Sequence, residues 1–125
     1  LKAGQPLNVY GSGNQTRTFC YITDAMVGFL LVVLKGVVGA AYNIGNPKPE
    51  ISMVELVERI EKVLDRPVDH NVIEYPDSYP ADEPNRRAPD IRKARLQLNF
   101  EPGVQLDEGL SRFLGWAEGV YVGDS

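Results

Sequence analysis

Apolar residues along this chain follow distinct spacings, and each spacing predicts a different kind of element. From position 53 the apolar residues Met53, Leu56, Val57, Ile60, Val63 and Leu64 recur at helical intervals, the one-sided stripe of a helix lying on a core. Ser52-Met-Val-Glu55 opens that stripe as a capping box, serine and glutamate each satisfying a backbone donor of the other. Pro67 sets its limit. Ala25 to Leu34 is instead apolar on every side, which predicts a buried helix capped by Thr23 or Asp24 and running to about Lys35. Leu106, Leu110, Phe113, Leu114 and Ala117 give a last helix its buried face.

Between these helices lie short extended stretches. Pro6 to Tyr10, Thr18 to Ile22, Ala41 to Ile44 and His70 to Tyr75 are rich in β-branched and aromatic residues and bounded by turn formers. Asp90 starts a short helix to about Leu98. Pro76 to Pro89 holds four prolines and reads as a long loop. The order of elements is that of an α/β fold, with too few long strands for a complete parallel sheet. One partial domain, residues 1–125, is expected.

Composition narrows the classes of function. The net charge of −4 argues against a general nucleic-acid binder. The longest apolar run is about half the ~20 residues of a membrane span, so no membrane partner is expected. Cys20 is the only cysteine, which fits a reducing compartment and a cytoplasmic location. The opening Leu1-Lys2-Ala3-Gly4 reads like the last turn of a helix, so a piece of a longer protein is expected.

Candidate chemistry is sparse. Arg86, Arg87, Arg92, Lys93 and Arg95 place five basic residues within ten. They suit either a phosphate-binding site, through arginine forks and a helix N-terminus, or a solvated face neutralised by Asp77, Asp82 and Glu83. Asp90 reads as a helix cap that could also accept from a ribose hydroxyl. Arg17, beside a glycine-containing loop, is surface decoration by default. Gly11-x-Gly13 lacks the third glycine of a dinucleotide-binding turn, and no tyrosine is followed four residues on by lysine. His70 and Cys20 are too few for a conventional metal site, and no nucleophile-elbow motif offers His70 a triad. His70 is expected to be an exposed strand residue.

Taken in order, the segments resemble a known family. Pro6-Leu-Asn-Val-Tyr10 through Arg17-Thr-Phe-Cys-Tyr21-Ile-Thr-Asp24, then Tyr42-Asn-Ile-Gly-Asn46, Ser52-Met-Val-Glu-Leu, Glu83-Pro-Asn-Arg-Arg87-Ala-Pro-Asp90-Ile and Phe100-Glu-Pro are similar to the extended short-chain dehydrogenase/reductases that act on sugar nucleotides. The resemblance implies the C-terminal, substrate-binding portion of a Rossmann-type fold. Asn8, Val9 and Tyr10 would line the nucleobase pocket, Arg17 and Arg87 would hold the diphosphate, and Asp90 would bind the ribose of a nucleoside diphosphate sugar. Gln15 and Tyr21 would border the site. No catalytic or metal-binding residue is implied within this chain. NAD would be bound in the complete enzyme, a homodimer, and not by this portion alone. The N-terminal nucleotide-binding half would be the missing partner, leaving the helix from Asp24 and the strand at Tyr42 with apolar surface to cover.

Within the family, Gln-Thr-Arg-x-Phe-x-Tyr and Pro-x-x-Arg-x-Pro-Asp-Ile most resemble the UDP-glucuronate decarboxylases. The dTDP-glucose 4,6-dehydratases and UDP-sugar 4-epimerases share much of the pattern. A non-catalytic binding module or a structural remnant is the alternative outside enzyme chemistry.

Overall fold

The computed structural model describes residues 5–78 and 84–120. Among them are five strands, β1 (Leu7–Tyr10), β2 (Thr16–Arg17), β3 (Ile51–Ser52), β4 (His70–Ile73) and β5 (Arg86–Arg87). Four helices accompany them: α1 (Ile22–Lys35), α2 (Met53–Leu64), α3 (Arg92–Leu98) and α4 (Leu106–Val120). β1 and β4 pair in parallel with Leu7 opposite His70 and Tyr10 opposite Ile73. A second, smaller sheet has the order β3-β2-β5, antiparallel on one side of β2 and parallel on the other.

α2 forms as its sequence dictates. Ser52 Oγ accepts from the Glu55 N–H at 3.1 Å, and Glu55 Oε2 accepts from the Ser52 N–H at 2.7 Å. The helix ends at Asp65 in the left-handed conformation, φ 51°. Its apolar stripe meets the β1–β4 pair: Val9, Val57 and Val68 are buried together, with Leu7, Met53, Ile60 and Leu64 packed around them. On the opposite side Arg59 grips Asp107 of α4 through two contacts of 3.0 Å.

A second core gathers Ile91, Ala94, Leu98 and Phe100, covered by Leu31, Val32, Tyr42 and Ile44. Gly28 lets α1 approach this core, because a Cβ there would overlap Ile44 Cγ2 and crowd Phe100. The structure departs from expectation along the rest of α1. Only Gly28 of that helix is buried, and Ile22, Phe29, Val33 and Leu34 are exposed, Leu34 by 77%. The all-round apolar pattern therefore marks a helix that this chain covers on one side. Neither expected cap starts it: Tyr21 is the N-cap residue and makes no side-chain cap bond. Asp24 instead accepts from the Gly103 and Val104 N–H groups at 3.0 and 2.9 Å, tying α1 to the start of α4.

Three further expectations are corrected. The strand expected at Thr18–Ile22 lies earlier, at Thr16–Arg17, because Ile22 already belongs to α1. Ala41–Ile44 joins neither sheet among the described residues, since no neighbouring strand lies alongside to hydrogen-bond it. In α4 only Gly109 is fully buried, while Phe113 and Trp116 are half exposed. The stretch 76–89 carries β5, and its residues 79–83 lie outside the described set. His70 is exposed in β4 as expected. No helix among the described residues is long and apolar enough to cross a membrane.

Candidate functional site

β1 delivers Asn8 and Tyr10 to an open cleft of about 410 Å³ between the β1–β4 pair and the first turns of α2. The turn that follows is built from glycine for steric reasons. Gly11 has φ +69°, and a Cβ on it would stand 2.6 Å from Tyr75 Cε2. Gly13, at φ +74°, turns its carbonyl toward α2 and accepts from the N–H groups of Met53 and Val54 at 3.1 and 3.2 Å. The loop is thereby fixed to the helix N-terminus, whose first donors need partners. This glycine turn leads into β2 and not into a helix, so it is no seat for a dinucleotide.

Tyr10 and Tyr75 stack with ring centroids 6.0 Å apart and planes 15° from parallel, which gives the cleft an aromatic wall. Gln15 donates from Nε2 to the Tyr10 carbonyl at 2.7 Å and lines the same cleft. Met53, Leu56 and Ile60 supply the apolar floor. Val9 borders the cleft, but its side chain is buried in the core behind it.

Arg17 stands where this cleft meets a second, more polar hollow of about 430 Å³, and it lines both. Arg87 and Asp90 line the second hollow together with Asn43, Asn46 and Cys20. Arg17 and Arg87 are opposite residues of the parallel β2–β5 pair. Of the six residues that the resemblance singled out, Asn8, Val9 and Tyr10 line the first hollow, Arg87 and Asp90 the second, and Arg17 both.

The other basic residues of the cluster are engaged by neighbouring groups. Arg86 binds Glu50 through Nε and Nη2 at 2.8 and 2.7 Å. Arg95 pairs with Glu101 at 2.6 Å. Lys93 donates to the Ala41 carbonyl at 2.9 Å and lies over the Tyr42 ring. The neutralising partners are therefore Glu50, Asp90 and Glu101 rather than the nearby Asp77; Asp82 and Glu83 lie outside the described residues.

The expected cap is corrected: Ile91 is the N-cap residue of α3 and makes no side-chain cap bond. Asp90, one residue earlier, accepts from the Arg92 N–H at 3.0 Å and takes a forked contact from the Arg92 guanidinium, 2.6 Å at the shortest. Hydrogen bonds from that guanidinium, then from the backbone, lower its pKa from 3.8 to about 2. It is an anion at neutral pH whose two oxygens take four donor contacts, all from Arg92, so a ribose hydroxyl would have to share or displace one of them.

Burial raises the Cys20 thiol, reinforced by the charge of Asp24, so it is a poor nucleophile. Tyr21, expected at the border of the site, instead packs beside Gly109 of α4, in an apolar hollow with Phe19 and Phe113. Tyr75 and Asn46 were missed. Tyr75 follows a strand with no motif around it. Asn46, one of the few polar residues buried here, accepts from the Lys48 N–H at 3.1 Å, and Gly45-Asn-Pro had suggested only a turn. No group of three or more metal-binding side chains occurs among the described residues.

Comparison with known proteins agrees with this architecture. The model of the NAD dependent epimerase/dehydratase family matches residues 1–45. UDP-glucuronic acid decarboxylase 1 of Arabidopsis thaliana is 42% identical over 109 residues, which cover 87% of this chain and 24% of the relative. The Xenopus tropicalis protein of that name is 40% identical, with the same coverage. Among solved structures, UDP-glucuronic acid 4-epimerase from Bacillus cereus in complex with UDP-glucuronic acid and NAD superimposes with a TM-score of 0.84 at 30% identity, over 96% of this chain and 37% of that one. The dTDP-glucose 4,6-dehydratase of Bacillus anthracis, in complex with NAD, gives 0.83 at 28% identity, over 95% and 36%. The chain spans about a quarter of the length of these two curated relatives. In sequence and in fold, the chain is similar to part of the NAD-dependent epimerase/dehydratase proteins, of the Rossmann-type short-chain dehydrogenase/reductases.

Proposed function

We propose that this chain supplies the nucleoside diphosphate site of an NAD-dependent sugar-nucleotide enzyme, and that the complete enzyme is a UDP-glucuronate decarboxylase. The observation that carries the reading is the position of Arg17, shared between an aromatic-walled cleft and a hollow holding Arg87 and Asp90. A nucleoside diphosphate offers groups that suit the two hollows: a flat ring for the aromatic wall, and a ribose and two phosphates for the polar hollow. Asn8, Val9 and Tyr10 border the base, Arg17 and Arg87 neutralise the diphosphate with forked donors, and Asp90 accepts from a ribose hydroxyl. The choice of decarboxylase follows the relatives at 40–42% identity; the structural likeness to an epimerase and a dehydratase keeps those two activities as the second reading.

NAD finds no fitting seat among the described residues, since the sequence has neither the three-glycine turn nor a Tyr-x-x-x-Lys pair. Its binding and the proton transfers are assigned to the rest of the enzyme. The same part would cover the apolar face of α1 and the unpaired Ala41–Ile44 stretch, in a cytoplasmic homodimer.

Calorimetric titration of the chain with UDP, UDP-glucuronate and dTDP-glucose at low salt tests the reading. Saturable binding that favours one base and is lost in Arg17→Ala supports it. Equal binding by wild type and Arg17→Ala would remove Arg17 from the site.

A further inference from the structure

Arg87 reaches the site from a strand only two residues long, so something outside the site must hold that strand. Successive strand residues point to opposite faces. Arg17 and Arg87 therefore share one face of the β3-β2-β5 sheet, while their neighbours Thr16 and Arg86, also opposite each other, share the other. On that other face a single carboxylate joins them. Glu50 Oε1 accepts from Thr16 Oγ1 at 2.6 Å and from Arg86 Nε at 2.8 Å, and Glu50 Oε2 accepts from Arg86 Nη2 at 2.7 Å. Glu50 itself immediately precedes β3, whose Ser52 lies opposite Thr16. One side chain thus ties together all three strands, yet lines neither hollow of the site.

We propose that Glu50 is a positioning residue: by clamping Arg86 to Thr16 on one face of the sheet, it fixes Arg87 beside Arg17 on the other. The inference rests on the reading of Arg17 and Arg87 as the diphosphate pair. The clamp has work to do there. β5 is two residues long, so its ladder gives it few backbone bonds to β2. Beyond the strand ladder itself, the Thr16 N–H to Asn85 carbonyl bond of 2.8 Å adds one backbone link. The forked Glu50–Arg86 contact adds to these a charge-assisted pair of fixed geometry.

The test uses the full chain, titrated with UDP by calorimetry and with uridine by NMR shift changes, in wild type, Glu50→Gln, Arg86→Lys, Arg87→Ala and the exchanged pair Glu50→Arg with Arg86→Glu. Glutamine can still accept from Thr16 but loses the charged fork, and lysine at 86 keeps the charge but not the fork. Either change should weaken UDP about tenfold, the loss of one charged hydrogen-bonding interaction, and leave uridine unchanged. The exchanged pair should recover most of the UDP affinity. UDP affinity unchanged in Glu50→Gln and Arg86→Lys, with Arg87→Ala still impaired, overturns the role of Glu50 alone. Equal losses for UDP and uridine also overturn it, because they report a general loosening. Wild-type affinity in Arg87→Ala, or no UDP binding by folded wild type, overturns the reading of the site and this role with it.

Discussion

Arg17 and Arg87 stand opposite each other in the parallel β2–β5 pair, joining residues seventy positions apart into one doubly cationic edge of a chain whose net charge is −4. A diphosphate bound there would be neutralised by the forked donors of both side chains. Replacing Arg87 by alanine should weaken UDP by about 1.5–3 kcal/mol, the range for hydrogen bonds to charged groups. The effect should shrink as salt is raised. Titrations at two ionic strengths check both; an affinity independent of Arg87 would place the phosphates elsewhere.

Gly11→Ala should act on fold and cleft together. Its φ of +69° strains any residue with a Cβ, and that Cβ would stand 2.6 Å from the Tyr75 ring. A loss of about 1–2 kcal/mol in urea denaturation is expected from the backbone alone. Tyr75 must also shift off Tyr10, so UDP binding should weaken. Lower stability with unaltered affinity would show that the Tyr10–Tyr75 wall does not contact the base.

These two positions show what could be read in the sequence. Gly11 was legible as a loop and Arg17 as a lone arginine beside it, but only long-range pairing sets Arg17 against Arg87 and Tyr75 against Gly11. Local signals fixed what is local: the Ser52–Glu55 capping box and the α2 stripe appear as read, because caps and helical spacing involve residues within one or two turns. The α1 pattern was legible as helix and misleading as burial. An all-round apolar helix needs cover on all sides, and this chain offers the Ile91–Phe100 core on only one. Ala41–Ile44 failed as a strand for the same reason: extended backbone becomes a strand only beside a partner. Glu50 gave no signal at all, since its partners lie 34 and 36 residues away.

Ser52→Ala removes the hydroxyl that accepts from the Glu55 N–H, while the backbone N–H at 52 can still donate to the Glu55 carboxylate. The expected loss is about 1 kcal/mol of stability. Because α2 also floors the cleft through Met53 and Leu56, fraying of its first turn should loosen UDP as well. Chemical denaturation and titration of one preparation separate the two effects. An unchanged denaturation midpoint would mean that the Gly13 carbonyl, which accepts from Met53 and Val54, caps α2 sufficiently alone.

The acid limb of stability gives the last prediction. Asp90 has its pKa lowered from 3.8 to about 2 in the folded chain, first by the Arg92 guanidinium and then by the Arg92 N–H. The unfolded chain therefore takes up this proton at a higher pH than the folded one. The stabilisation is fully present above the unfolded value and is lost as pH falls through about 2. Asp90→Asn keeps an oxygen able to accept from the Arg92 N–H but has no charge to lose. Between about pH 5 and 2 its stability should fall less steeply than that of wild type. Some slope should remain, because Glu50, Glu55 and Glu101 are also held below their ordinary values by hydrogen bonds. Urea midpoints across this range decide the matter: parallel curves for the two proteins would mean that the Asp90–Arg92 contact does not persist in solution. In that case the carboxylate is free to reorient, and its fixed geometry could not be what presents it to a ribose.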